Sequence, residues 1–163
     1  MKIDDQLRVF EEKRDSNWQG LIFNFRKHLD IWAHNNIKPD WGNMKLSYMP
    51  VIFNITVDGS TVADLARESM IVKQTISRTV KELEENGMIT ARQNDNDKRS
   101  EVLELTKKGK QFVLEANIEA SKLYDTYKEL VGEKKLDIAL EVINKLIAYH
   151  ETLNTNDEAH MGD

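Results

Sequence analysis

The 163-residue sequence predicts a mainly α-helical fold with one small β-hairpin. Apolar residues recur at steps of three and four up to residue 36 and again after Gly109, which indicates amphipathic helices at both ends. Between them, from Thr61 to Gly87, lie two shorter helical patterns separated by a turn. Alternating apolar and polar residues then flank a charged tip, the pattern of a two-stranded hairpin.

Composition limits the class of protein. Hydrophobic residues make up 40% of the chain and charged residues 31%, as in a water-soluble globular domain. Cysteine is absent from the sequence, which excludes disulfides, thiolate metal sites and a thiol-based redox switch. The N-terminal stretch lacks the apolar core of a signal peptide, and no run approaches the ~18 apolar residues that a membrane helix needs. We therefore expect a cytoplasmic protein that does not enter a membrane.

The pattern predicts one domain over residues 1–153, followed by a disordered polar tail at 154–163. Asp15 or Ser16 is the expected N-cap of a second N-terminal helix, and Ser47 that of a short helix with Pro50 in its first turn. A break at Gly132 separates two C-terminal helices. The helices at 1–36 and 110–153 are apolar along their length and need a covering surface, so we expect them to form a homodimer.

The lobe at 44–109 contains the two short helices. Thr61 and Asp64 have the spacing of a capping box for the first. The second is predicted from Val72 to Asn86, with Gly87 in a left-handed cap. Its core face is predicted to consist of four residues at helical spacing: Val72, Ile76, Val80 and Leu83.

The opposite face of this helix has the chemistry of DNA reading. Its residues are Gln74, Ser77, Arg78 and Lys81, with Lys73 and Thr75 at the flanks. Arg pairs with guanine and Gln with adenine, Ser and Thr can contact bases or phosphates, and Lys meets phosphate. The alternative is an ordinary solvated helix face, since polar residues opposite an apolar stripe are expected in any surface helix.

The hairpin, with predicted strands at 88–92 and 101–105, completes a winged helix-turn-helix. Lys98 and Arg99 at its tip suit a narrow minor groove, and we count Arg92 with this DNA-binding set. Asp95 and Asp97 are expected to shape the wing by accepting backbone hydrogen bonds, with Asp97 holding Arg99 in place. The alternative for the tip is a solvated charged turn.

The net charge of −5 is unexpected for a protein that must offset the charge of DNA phosphates, but it is not evenly distributed along the chain. Residues 61–110 contain ten Lys and Arg against nine Asp and Glu, while the remainder contains thirteen against nineteen. The surplus negative charge therefore lies outside the winged lobe.

The segment at 61–110 resembles the MarR family of bacterial transcription regulators. The resemblance rests on the helix pair, on the wing run Arg92-x-x-Asp95-x-Asp97-Lys98-Arg99, and on Leu105-Thr106-x-x-Gly109. It implies a homodimer with interlocked terminal helices and two winged lobes on successive major grooves of a pseudo-palindromic operator. Many relatives are repressors released by small, often aromatic ligands. Val72 or Lys73 stands where relatives usually have a capping Ser, Thr or Asp.

An effector pocket would use the aromatic-rich N-terminal helix and the loop after it, and the candidates are Phe23, His28, Trp32, His34 and Trp41. The alternative is that these aromatics belong to the core or to a dimer interface. His28, Asp30 and His34 match no familiar zinc spacing, so we expect no metal and no cofactor. Glycine-rich phosphate loops, a Ser-elbow and carboxylate pairs in an apolar frame are absent from the sequence, so no enzyme is predicted.

Two hypotheses follow. The first is a dimeric, sequence-specific regulator that binds double-stranded DNA and is expected to be a repressor controlled by a small aromatic effector. The second is a winged-helix module that binds a protein partner instead of DNA. The cations of the second helix and of the wing tip favour the first, because a protein-binding face more often presents apolar side chains.

Overall fold

A computed structural model of the chain describes residues 3–13, 17–39 and 45–160. The helices are α1 (Ile3–Glu12), α2 (Trp18–Asn36), α3 (Met49–Ile52), α4 (Val62–Ser69), α5 (Lys73–Glu85), α6 (Lys107–Val131) and α7 (Glu133–His160). The strands are β1 (Ser60–Thr61), β2 (Ile89–Gln93) and β3 (Glu101–Leu105). The predicted fold class, mainly α with a small β-hairpin wing, is confirmed.

The caps of the N-terminal elements differ from the prediction. Asn17 is the N-cap of α2, and its Oδ1 accepts a hydrogen bond from Gly20 N at 2.7 Å. The prediction of Asp15 or Ser16 was therefore wrong, and both lie outside the described residues. Asn is as favourable an N-cap as Asp or Ser, so residue type alone could not show which of Asp15, Ser16 and Asn17 begins the helix.

A 3-10 turn at Leu46–Tyr48 leads directly into α3. Ser47 lies inside this turn, so its prediction as an N-cap was wrong. Pro50 lies in the first turn of α3, as predicted. The backbone N–H that proline lacks would have no hydrogen-bond partner within this turn, so its absence costs nothing.

The sheet is antiparallel with strand order β1-β3-β2. Ile89 pairs with Leu105 and Gln93 with Glu101, which confirms the predicted hairpin with its first strand shifted by one residue. β1 pairs with β3 through Ser60 and Leu103 and was not predicted, because two residues are too few to show an alternating pattern.

One apolar core holds α2, α3, the helix pair and the sheet together. Trp32 packs against it from α2, and Phe112 and Ala116 enter it from the start of α6. Its fully buried side chains come from α3, α4, α5, β3 and the residue before β2: Val51, Ile52, Leu65, Ile76, Leu83, Met88 and Leu103.

The chain divides into two compact units, residues 1–116 and residues 117–163. Gly132, with φ of +85°, ends α6 as predicted. α7 continues to His160, beyond Leu153 where the sequence predicted a disordered tail, because no glycine or proline interrupts the helix before that point. Up to Leu153, no α7 side chain that the structure describes is buried.

Candidate nucleic-acid interface

A capping box fixes the start of α4, as the Thr-x-x-Asp spacing predicted. Thr61 Oγ1 accepts a hydrogen bond from Asp64 N at 3.1 Å, and Asp64 Oδ2 accepts one from Thr61 N at 3.2 Å. Arg67 donates to the other oxygen of Asp64 at 2.8 Å. The bonds from Thr61 and then from Arg67 hold the pKa of the Asp64 carboxyl below its ordinary value, so α4 is anchored by a charged acid at neutral pH.

The start of α5 carries no such cap. Met70 turns the chain with φ of 55°, and Val72 is the N-cap without a side-chain hydrogen bond. Val72 is 70% exposed, so its prediction as a core residue was wrong. An ideal helical wheel places it inward, but its ψ of 140° is extended and turns the side chain away from the core. The first turn of α5 also lacks acidic residues, which leaves its positive end open to an anion.

The two faces of α5 are otherwise divided as predicted. Ile76, Val80 and Leu83 are buried, and buried Thr79 joins them. The six predicted DNA-contacting positions of this helix are all exposed: Lys73, Gln74, Thr75, Ser77, Arg78 and Lys81. The helix therefore presents donors and cations along the side away from the core.

Glu82 joins α5 to the turn before α3. Its Oε2 accepts hydrogen bonds from Lys45 Nζ at 2.7 Å and from Tyr48 Oη at 2.8 Å. Its other oxygen lies 3.5 Å from Arg78 Nε. The bonds from Lys45 and Tyr48 lower the pKa of the Glu82 carboxyl, whereas burial and then the Glu82 bond raise the pKa of the Tyr48 hydroxyl.

Glu82 was not among the site residues predicted from the sequence. The spacing of Arg78 and Glu82, four residues apart on a helix, was a signal for their pairing. Nothing in the sequence pointed to Lys45 or Tyr48, because both reach Glu82 only through the packing of α3 against α5.

Within the wing, Arg92 is held by two acids. Its Nε lies 2.6 Å from Glu104 Oε1 on the paired strand, and its Nη1 lies 3.5 Å from Asp95 Oδ2. The Glu104 bond raises the pKa of the Arg92 guanidinium. This arginine therefore ties the two strands of the wing together.

The wing tip is closed by side chains that accept backbone hydrogen bonds. Asp97 Oδ1 accepts from Arg99 N at 3.0 Å, and Asn94 Oδ1 accepts from Asn96 N at 3.0 Å. Asn94 was not predicted to shape the wing, yet its Nδ2 also donates a hydrogen bond to Ser100 Oγ at 3.0 Å. Asp97 thus contacts the backbone of Arg99 and leaves its guanidinium exposed.

A cleft of about 570 Å³ separates the start of α5 from the wing. Lys73 and Ser77 line it from α5, and Lys98 and Arg99 line it from the wing tip. These three cations form no ion pair with any residue that the structure describes. Glu101 is the single carboxylate among the lining residues, so the cleft carries a surplus of positive charge.

The predicted effector residues come together only in part, since Phe23 and His34 line one cleft. An apolar cleft of about 580 Å³ beside α2 is lined by Phe23, Ile31, His34 and Leu46, with Arg26, Lys27 and Asp30 at its edge. His28 and Trp32 do not line it, because Trp32 turns inward against the core. Trp41 lies outside the described residues.

The described residues, 3–13, 17–39 and 45–160, also bear on other kinds of site. In these ranges no cluster of three potential metal ligands occurs, and Asp30 is paired with Arg26 at 2.9 Å. None of the helices there combines the length and the apolar character needed to cross a bilayer.

Comparison with known proteins links this site to a family. Residues 43–100 match the MarR family model. The chain is 26% identical over 92 residues to the HTH-type transcriptional regulator FarR of Neisseria gonorrhoeae, covering 56% of this chain and 63% of that protein. It is 33% identical over 105 residues to the HTH-type transcriptional regulator Hpr of Halalkalibacterium halodurans, covering 60% of this chain and 55% of that protein.

These matches span less than two thirds of the length of the curated relatives. The fold is similar to that of Streptococcus pneumoniae FabT in a crystal structure in complex with DNA, with a TM-score of 0.70. That likeness covers 83% of this chain and 95% of FabT at 20% sequence identity.

Proposed function

We propose that this chain, whose residues 43–100 belong to the MarR family, is a sequence-specific transcription regulator that binds double-stranded DNA as a homodimer. The observation that supports this most is the cleft between α5 and the wing. Lys73, Lys98 and Arg99 line it without acidic partners, so their charge is available to phosphates. A regulator of this kind acts in the cytoplasm, and nothing in the proposal requires catalysis.

In this proposal the exposed face of α5 lies in the major groove. Gln74 and Arg78 contact base edges, Ser77 contacts a base or phosphate, and Lys73 and Lys81 contact phosphates. Thr75, at the flank, supports the phosphate contacts. Glu82 holds the Arg78 side chain at 3.5 Å, which limits the directions from which it meets a base.

The wing is proposed to lie along the minor groove. Lys98 and Arg99 reach it from the tip, where both side chains are exposed. Arg92, with its two carboxylate partners, serves the proposal better as a structural residue than as a DNA contact. Asp95 and Asp97 then act with it to hold the shape of the wing.

The terminal helices are proposed to form the dimer, with the lobe at 44–109 left free for DNA. Large apolar side chains of α7 are exposed in the single chain, among them Ile138 at 60%, Leu146 at 52% and Tyr149 at 59%. Such a helix is stable when a second surface covers it, and a second copy is the simplest one. Sedimentation equilibrium at micromolar concentration should give the mass of a dimer, and a monomer would contradict this part of the proposal.

The proposal includes repression and control by a small aromatic effector. The apolar cleft beside α2 suits such a ligand, with Phe23 as the aromatic wall and Arg26 as a cation at the edge. Titration with benzoate, followed by tryptophan fluorescence, should show saturable binding that Phe23→Ala weakens. Equal binding of benzoate by the wild type and by Phe23→Ala would show that the effector does not bind in this cleft.

DNA binding can be tested by fluorescence anisotropy with the intergenic DNA beside the protein's own gene. We expect saturable binding that weakens steeply with salt, because several phosphates are neutralised. Arg99→Ala should weaken binding to all sequences alike, whereas Arg78→Ala and Gln74→Ala should cost about 1–3 kcal/mol chiefly on the preferred site. Lys38 is an exposed lysine after α2, and Lys38→Ala is the matched control. It should change neither the overall affinity nor the preference between sequences.

Two results would contradict the proposal. Absent or salt-independent binding at low ionic strength would favour the protein-binding alternative over DNA. Equal losses for Arg78→Ala, Gln74→Ala and Arg99→Ala on random DNA would show that α5 does not recognise sequence.

A further inference from the structure

Val72 presents an aliphatic side chain to solvent at the start of α5. Its exposed fraction of 70% excludes a role in the core. It is the N-cap of α5, but valine has no oxygen with which to accept a hydrogen bond from the first turn. Val72 therefore neither packs in the core nor caps α5 with its side chain.

The choice of valine here has a cost in stability. Ser, Thr, Asp or Asn at an N-cap stabilises a helix, as Thr61 does for α4 in the same lobe. An exposed valine also gains little from the hydrophobic effect in the free protein. A contact made only in a complex would account for an apolar side chain at this position.

The surroundings of Val72 indicate what that complex is. The next residues, Lys73 and Gln74, are exposed, and Lys73 lines the positive cleft shared with the wing. The first turn of α5 has no acidic residue to repel phosphate. Val72 thus stands at the leading end of the helix that the proposed function places in the major groove.

We infer that Val72 packs against the 5-methyl group of a thymine and so helps to determine which sequence is bound. This inference rests on the proposed function. The thymine methyl is the apolar group that base pairs display in the major groove, and an aliphatic side chain is its natural partner. Removing the contact should cost about the worth of one buried methyl group, a fall of about fourfold in affinity.

The test uses deoxyuridine, which pairs like thymidine but lacks the methyl group. The full-length protein is first used to select duplexes from a random-sequence library. Each thymidine of the selected duplex is then replaced in turn by deoxyuridine, and the affinity is measured by anisotropy. For the wild-type protein, we expect one replacement within a half-site to lower the affinity about fourfold.

Val72→Ser and Val72→Ile are the informative variants. Val72→Ser should bind the thymidine and deoxyuridine duplexes equally at that position, and its added cap should raise the Tm by about 2–4 °C. Val72→Ile keeps an aliphatic surface and should keep the fourfold difference. A purely structural effect of Val72 would change the affinity for both duplexes together.

The inference is overturned if Val72→Ser stays as sensitive to the replacement as the wild type, or if no replacement affects the wild type. In either case, salt-dependent binding of the selected duplex by Val72→Ser would leave the proposed function standing. If the wild-type protein selects no sequence at all, the proposed function fails and this inference fails with it.

Discussion

Gly109 stands where α6 passes close to the start of the wing. A Cβ atom added at this position would overlap Met88 O and lie 3.3 Å from Leu105 Cδ2. Met88 O also accepts hydrogen bonds from Thr106 N at 3.0 Å and from Thr106 Oγ1 at 3.2 Å. The carbonyl therefore cannot move away from a new side chain without weakening these bonds.

Gly109→Ala should accordingly lower the free energy of unfolding. Overpacking a buried site costs about 1–3 kcal/mol, and weakening the bonds to Met88 O adds about 1 kcal/mol. Alanine recovers about 1 kcal/mol because it favours a helix over glycine. The net loss is about 1–3 kcal/mol, which lowers the Tm of a chain of this size by about 2–12 °C.

Thermal denaturation at one fixed protein concentration measures this loss, since the Tm of the proposed dimer would depend on concentration. Lys110→Ala, at the next and exposed position of α6, is the matched control and should stay within about 0.5 kcal/mol of the wild type. Because β2 begins beside Met88, we also expect Gly109→Ala to weaken the proposed binding of DNA. A Tm at or above that of the wild type would refute the close approach of α6 to the wing.

Three further predictions concern the helix-turn-helix. Thr61→Ala should cost about 1 kcal/mol in thermal denaturation by removing the cap of α4, while Thr61→Ser should keep it; equal losses would exclude the capping role. Met70→Gly should gain about 1 kcal/mol, because glycine adopts φ of 55° without strain and the 87% exposed side chain packs little; Met70→Ala should gain much less. Glu82→Gln should lower the Tm at pH 7. The pKa of the Glu82 carboxyl is lowered from 4.5 in the folded state, so its stabilisation by Lys45 is present above pH 4.5 and is lost as the pH falls through the lowered pKa. A Tm difference between Glu82→Gln and the wild type that does not change with pH would contradict this ion pair.

Local features of the lobe were predictable because they depend on residues close in sequence. The Thr61–Asp64 box spans four residues, and Gly87 and Gly132 have positive φ, which glycine adopts at little cost. The hairpin followed from the alternation on both sides of a charged tip. These features placed α4, α5 and the wing in the correct order along the chain.

Contacts between distant residues were not predictable in the same way. Glu82 meets Tyr48 and Lys45, which lie 34 and 37 residues away in the sequence. Arg92 meets Glu104 only because of the register of β2 against β3. Trp32 and His28 are four residues apart on α2, yet Trp32 packs against the core while His28 is exposed.

Local sequence patterns were enough to predict the winged helix-turn-helix, the polar face of α5 and the cationic tip of the wing. Periodicity, capping spacing and turn residues are enough for that, since each acts over a few residues. The fold determines which charges are free and which are paired: Lys98 and Arg99 line an open cleft, whereas Arg92 is paired with acids within the wing. It also turned Val72 outward, because the direction of a side chain at a helix start depends on backbone dihedral angles that a helical wheel does not contain.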